Sequence, residues 1–318
     1  MPSFDSPIAI PKRETDLLCV GELLIDMIAM EYGSFVECRD FQRFAGGSPA
    51  NIALNAGRLG VSAAIAAAVG LDGLGDFLVR VLADSGLDVS LIQRREESTS
   101  LVLITRSREA PTPIFYRGAD CRLAFSSELQ ARMDGASMLH FSCWPLSMEP
   151  ARSCVERLVA AAKGAGSLVC CDPNYHPSVW KDRSEAQAIL EKLLPSIDVL
   201  KPSEDDADRL FGRDKPERHL RRFLDLGAKL VVMTLGKAGA IATNGGETRA
   251  YPSLADEVVD TTGAGDAFWA GLYAGFSGGR SVDRSIRLGM AVSAVKLRSV
   301  GASVPAATIV EIERGFGL

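Results

Sequence analysis

Short apolar runs alternate with amphipathic stretches of roughly ten residues along most of this chain, and that alternation restricts the fold more than any other property. Strand signals fall at 17–20, 63–69, 138–141, 168–171, 199–200 and 230–234. Helix signals fall at 49–59, 76–85, 150–163, 184–194, 203–211, 217–226, 266–276 and 282–297. The run Ala63-Ala64-Ile65-Ala66-Ala67-Ala68-Val69 is continuous and small, as in strands covered on both faces. Such an order implies an α/β fold, a mainly parallel central sheet flanked by helices on both faces. Ser48 is placed to cap the helix at 49–59, with Pro49 as its first residue, and Gly86 stops the helix at 76–85. Residues 240–243 and 247–251 form a hairpin pattern around Asn244-Gly245-Gly246. Two β-rich interruptions, at about 24–46 and 92–120, do not suit a parallel sheet. They are expected to build a small separate sheet inserted in a single domain that spans 1–318.

Composition narrows the function. The apolar fraction of 47% and charged fraction of 24% are those of a soluble globular chain. A net charge of −5 without a basic block argues against nucleic acid and membrane partners. Apolar runs stop well short of the roughly 18–20 residues that cross a bilayer. Residues 1–11 lack the pattern of a signal peptide. The seven cysteines sit mostly inside apolar segments without C-x-x-C spacing, which suits reduced thiols in a cytoplasmic protein. His140, His176 and His219 show no zinc-binding spacing.

The chemistry concentrates in Asp260-Thr261-Thr262-Gly263-Ala264-Gly265-Asp266-Ala267-Phe268. A β-prone stretch enters a glycine turn, and a helix-prone apolar run leaves it. The unpaired N–H groups at a helix start lie at the positive end of its dipole and attract anions. A carboxylate in the same turn, Asp266, suits a base that takes a proton from a hydroxyl attacking the bound phosphate. The alternative is a plain loop with Asp266 as a helix cap. Gly46-Gly47 would let backbone approach a ligand, and the Asn51 amide suits a polyol; a tight turn with an exposed Asn is the other possibility. Thr234 and Gly236 end an apolar strand, where ligands bind in open α/β sheets. No Walker P-loop, protein-kinase signature, hydrolase elbow or dinucleotide fingerprint occurs.

Two strings more than 200 residues apart, D-T-T-G-A-G-D-A-F and Ala45-Gly46-Gly47-Ser48-Pro49-Ala50-Asn51-Ile52-Ala53, resemble in type and order the signatures of the PfkB, or ribokinase-like, carbohydrate kinases. The resemblance runs from Gly21-Glu22 to about Pro305 and points to the fructokinase-like branch. It implies a ribokinase-like fold whose small sheet is a lid over the sugar. It also implies transfer of the γ-phosphoryl group of ATP, with Mg²⁺, to a primary hydroxyl of a small sugar. Asp266 would be the base, and the N–H groups of Gly263, Ala264, Gly265 and Asp266 the anion hole. Asp26, Gly46, Gly47, Asn51 and Asn174 would hold the sugar. Arg117 ends a lid strand and would hold a sugar carboxylate or hydroxyls, or be a solvated charge. Thr234, Gly236, Lys237 and Ser203 would contact the nucleotide. Asp206 would organise the waters of Mg²⁺, although Ser203 and Asp206 stand where many members carry Asn and Glu. Asp260, Thr262 and carbonyls near Gly301 would enclose a monovalent cation, K⁺ foremost.

The stretch Asp172-Pro173-Asn174-Tyr175-His176 resembles one in which fructokinases and ketodeoxygluconate kinases carry Arg at the position of His176. Losing that Arg favours a neutral ketose, fructose foremost, over 2-keto-3-deoxygluconate or another sugar acid. A non-catalytic sugar-binding regulator is the rival from another class, and the intact Asp266 and glycine turn argue against it. Assembly, if any, would be a homodimer through the lid.

Overall fold

The computed structural model describes residues 2–106, 113–305 and 307–318. In chain order its elements are β1 (Thr15–Val20), β2 (Leu24–Tyr32), β3 (Phe41–Gly46), α1 (Ser48–Arg58), β4 (Ala63–Gly70), α2 (Gly73–Asp84), β5 (Ile92–Arg95), β6 (Leu101–Arg106) and β7 (Ile114–Tyr116). There follow α3 (Ser127–Asp134), β8 (Ala136–Ser142), α4 (Ala151–Gly164), β9 (Leu168–Asp172), α5 (Arg183–Leu193), β10 (Val199–Leu200), α6 (Glu204–Phe211) and α7 (Pro216–Asp225). The last are β11 (Leu230–Thr234), β12 (Ala240–Thr243), β13 (Thr248–Tyr251), α8 (Ala264–Ser277), α9 (Val282–Leu297) and α10 (Ile309–Phe316).

The large sheet runs β13-β12-β11-β10-β9-β8-β1-β4-β5. It is parallel from β5 to β11, and the β12–β13 hairpin closes it antiparallel. Pleating sends Leu17 and Cys19 of β1 into a core with α1, α8 and α9, and Leu18 and Val20 into a second core with α4 and α7. Helices therefore cover both faces, and the apolar run of β4 is buried on both sides. This is the expected ribokinase-like architecture. The chain leaves β1 toward β4 on one side and returns to place β8 on the other. Strand order reverses between them, so a crevice opens at their C-terminal ends.

A separate four-stranded sheet, β3-β2-β6-β7, stands at that end. Phe115 of β7 meets Trp144 edge-on at 5.3 Å and His176 at 4.9 Å, residues that follow β8 and β9. The expected second insertion, 92–120, needs adjustment. Ile92–Arg95 pairs in parallel with β4 and extends the large sheet, so β6 and β7 alone supply that part of the small one. Residues 107–112 of the insertion lie outside those described.

Local chemistry explains the remaining differences. Ser48 is the first helical residue of α1 and not its cap; Gly47 precedes it at φ 104°. Helix α2 starts earlier than expected because Asp72 caps it, accepting from the N–H groups of Leu74 and Gly75. Two short helices, α3 and α10, add to the expected set. The second carries a Thr308/Glu311 capping box that the sequence does display. No helix among the described residues is long and apolar enough to cross a membrane.

Candidate active site

The expected glycine turn opens α8. Gly263 adopts the left-handed conformation at φ 72°, and a Cβ there would lie 2.7 Å from Ala302 Cα, so glycine is required on both counts. The Ala264 N–H donates back to the Thr261 carbonyl at 3.2 Å, which withdraws it from the expected anion hole. Gly265 and Asp266 remain as first-turn amides at the open end of the helix.

Helix α1 supplies the partners of Asp266. Ser48 Oγ donates to Oδ1 at 2.6 Å, and Asn51 Nδ2 donates to Oδ2 at 2.9 Å. The start of α1 is itself pinned by the buried Glu22, whose Oε1 accepts from the Ser48 N–H at 3.1 Å and whose Oε2 accepts from Ser142 Oγ at 3.2 Å. Burial pushes the Glu22 carboxyl up to about 8. Asp266 keeps some surface on the crevice, yet burial raises it to about 6 against the opposing donors Ser48 and Asn51. Asp26, across the crevice on β2, is raised to about 7 by burial and then by the Asp266 charge. Two carboxyl groups thus face one crevice, close enough for the charge of one to raise the other.

The glycine pair serves a different purpose from the expected one. A Cβ on Gly46 would lie 2.2 Å from Asp26 Oδ2, and one on Gly47 2.3 Å from the Glu22 carbonyl oxygen. The missing side chains make room for this protein's own Asp26 and Glu22. Asn51 gives one of its two amide hydrogens to Asp266.

Other expected contacts are already committed. Arg117 donates from Nε to Asp120 Oδ2 at 2.7 Å and from Nη1 to Ser147 Oγ at 3.0 Å, and it lies 4.5 Å over the Trp144 ring. The Asp120 side chain is fully buried and also accepts from Trp144 Nε1 at 2.7 Å, so Arg117 is the counter-charge of a buried acid and not a solvated charge. Ser203 and Asp206 form a capping box at the start of α6. Asp206 Oδ2 accepts from the Ser203 N–H and Oγ, and Oδ1 from the Tyr175 N–H at 2.8 Å. Oδ2 is taken up by Ser203, whereas Oδ1 accepts from the Tyr175 N–H alone and keeps a lone pair for a further donor such as a water. Asn174 is exposed, with φ 38°, beside the C-terminal end of β9. His176 is held below its usual pKa by burial and then by Arg209, and is neutral. Thr234 ends β11, and Gly236 and Lys237 lie in the turn that follows.

Two lysines join the site that the sequence motifs do not mark. Lys201, just after β10, is buried and ion-paired to Asp172 Oδ2 at 3.0 Å. Its Nζ lies 3.7 Å from where a Gly265 Cβ would be, which brings a positive charge to the glycine turn. Its place immediately after an apolar strand is the one signal the sequence offers. Lys296, in α9, is fully buried and donates to the Asp260 carbonyl at 2.7 Å. Asp260, Thr262 and Gly301 do come together, as a hydrogen-bonded set. Asp260 Oδ1 accepts from the Thr262 N–H at 2.9 Å and Oγ1 at 2.8 Å, and Oδ2 accepts from the Gly301 N–H at 2.8 Å. No group of three metal-ligating side chains occurs among the described residues.

Comparison with known proteins identifies the family and the fold. The model of the pfkB family carbohydrate kinases matches residues 14–309. An ATP-dependent 6-phosphofructokinase of Thermoanaerobacterium thermosaccharolyticum is 48% identical over 316 residues, 99% of this chain and 98% of that protein. The structure of Halothermothrix orenii fructokinase superposes with a TM-score of 0.79 at 37% identity, covering 86% of this chain and 97% of that one. A fructokinase of Vibrio cholerae O395, solved with fructose, ADP and calcium ion, has a TM-score of 0.81 at 26% identity, covering 95% and 98%. The chain therefore belongs to the pfkB family of carbohydrate kinases, ATP-dependent phosphotransferases that act on an alcohol group of a sugar.

Proposed function

We propose that this kinase phosphorylates a primary hydroxyl of a ketohexose, fructose foremost, with Asp266 as the base. The observation that carries this reading is a carboxylate poised at about 6 by burial, set at the open N-terminus of α8 and oriented by Ser48 and Asn51. At neutral pH such a group is ionised and still basic enough to accept the hydroxyl proton. The amides of Gly265 and Asp266, with Lys201 beside them, stabilise the charge of the group in transfer. Bound ATP, with Mg²⁺ on its phosphates, supplies that phosphoryl group. Thr234, Gly236 and Lys237 at the end of β11 hold the nucleotide. Asp26 accepts from sugar hydroxyls, and Asn174 borders the same end of the sheet. The small sheet acts as the lid that keeps water out. Tyr32, Ile114 and Tyr116 stay exposed on it, which supports pairing with a second copy through that sheet.

A sugar acid fits poorly, because Arg117 is held by Asp120 and His176 is neutral. Fructose 6-phosphate is the second reading, favoured by the 48% identical 6-phosphofructokinase. Comparing kcat/KM for fructose, fructose 6-phosphate and 2-keto-3-deoxygluconate with ATP and Mg²⁺ tests all three. A tenfold advantage for the acid would overturn the ketose assignment. Preference for the phosphorylated ketose would select the second reading. Absence of sugar-dependent ADP formation from every ketose would remove both and favour a non-catalytic regulator.

A further inference from the structure

The family's monovalent-cation position offers a test of fit, and the residues here do not fit such an ion. A cation of this kind needs oxygen atoms with free lone pairs and a net negative surround. Asp260 is the acid of the set, and three N–H or O–H donors already converge on its carboxylate. The Ala302 carbonyl in the adjoining loop accepts from Asn55 Nδ2 at 3.0 Å. The Asp260 carbonyl accepts from the ammonium of Lys296, whose Nζ also stands 4.0 Å from Asp260 Oδ2. The buried ammonium thus faces the Asp260 carboxylate directly and feels the Asp266 carboxylate beyond it. A second cation at Asp260 would meet that ammonium, and the Asp260 and Ala302 oxygens it would need already accept hydrogen bonds.

We propose that the Lys296 ammonium replaces the monovalent cation and makes this enzyme independent of K⁺. The side chain is fully buried on α9, and its Nζ reaches back to the segment that leads into the glycine turn. Asp260, braced by Lys296, holds Gly301 through its N–H, and the neighbouring Ala302 packs directly on Gly263. A continuous chain of contacts thus links the ammonium to the turn that presents the Gly265 and Asp266 amides. Lys296 is a positioning residue: it does not touch the reacting atoms, and it fixes the shape of the anion-binding turn.

The inference rests on the kinase reading, and its test includes a measurement that needs no turnover. Wild type, Lys296→Met and Lys296→Ala are compared in KCl, NaCl and tetramethylammonium chloride at one ionic strength, by melting temperature and by kcat. Wild type should melt at one temperature and turn over at one rate in all three salts. Lys296→Met, which keeps the packing but not the charge, should lose about tenfold or more in kcat, as expected when anion-hole geometry is relaxed. Lys296→Ala leaves space, so KCl should raise both its melting temperature and its kcat relative to tetramethylammonium chloride. Wild type activated or stabilised severalfold more by K⁺ than by tetramethylammonium would overturn the proposal. So would Lys296→Met turning over at the wild-type rate. If no variant or wild type turns over any sugar, the melting series still decides the cation question, and the kinase reading alone fails.

Discussion

Replacing Asp266 by Asn should make the enzyme more stable and far less active. The folded carboxyl sits at about 6 against an ordinary value of 3.8, because burial disfavours its charge. The folded state then binds more protons than the unfolded chain between these two values. Stability therefore falls as pH rises from about 4 to about 6, and stays reduced above that. A shift of about two units corresponds to about 3 kcal/mol of destabilisation at pH 8. The amide carries no such penalty, but its single oxygen accepts from only one of Ser48 Oγ and Asn51 Nδ2 and its NH2 cannot accept from the other, a loss of about 1–1.5 kcal/mol. The net expectation is a gain of about 1.5–2 kcal/mol at pH 8, or about 2–3 °C in Tm, and no gain at pH 4. Loss of the base should lower kcat by about 10²–10⁴. Thermal melts at the two pH values, with steady-state kinetics at pH 8, measure both quantities. A variant less stable than wild type at pH 8 would refute the burial argument. One retaining kcat within tenfold of wild type would refute the base assignment.

Asp26→Asn should lower kcat/KM for the sugar by about 10–100-fold through loss of charge-assisted contacts to hydroxyls, and leave the KM for ATP unchanged; a changed ATP KM with an unchanged sugar KM would reverse the assignment. Because Asp26 and Asp266 are raised to about 7 and about 6, wild-type kcat/KM should fall as pH drops through that range, as both must be ionised. A flat profile from pH 8 to 5 counts against both. Arg117→Leu strands the fully buried Asp120 and should cost about 3–5 kcal/mol of stability in urea titration. An unchanged midpoint with a raised sugar KM would instead make Arg117 a substrate ligand. Gly47→Ala combines a φ of 104° with a 2.3 Å clash on the Glu22 carbonyl, so a loss of about 3 kcal/mol or more is expected, visible as a lowered Tm or insoluble protein.

Hydrophobic periodicity and turn punctuation make much of the fold legible along the chain. The apolar run of 63–69 announces a doubly covered strand, and α9 occupies the predicted 282–297. These features are local, governed by hydrophobic pattern and by glycine and proline. The glycine turn with Asp266 is legible for the same reason: a nine-residue string carries its own helix start, amides and carboxylate. Other properties depend on residues far apart in sequence. Ile92–Arg95 belongs to the large sheet because β4 offers it a parallel edge, a fact absent from its own composition. The gap at Gly46 is filled by Asp26, 20 residues earlier, and Ser48 turns to Asp266 across 218 residues. Arg117 is an unassigned cation in the sequence until the fold buries Asp120 against it, and Lys296 is an ordinary helix lysine until Asp260 meets it. The layers of the fold and the location of the anion-binding turn are legible in the chain, because hydrophobic period and backbone conformation are written residue by residue. Which charges are paired, which are raised in pKa and which remain open to chemistry emerges from the folded arrangement alone. Burial and electrostatic partnership are properties of neighbours in space, and these neighbours are separated along the chain.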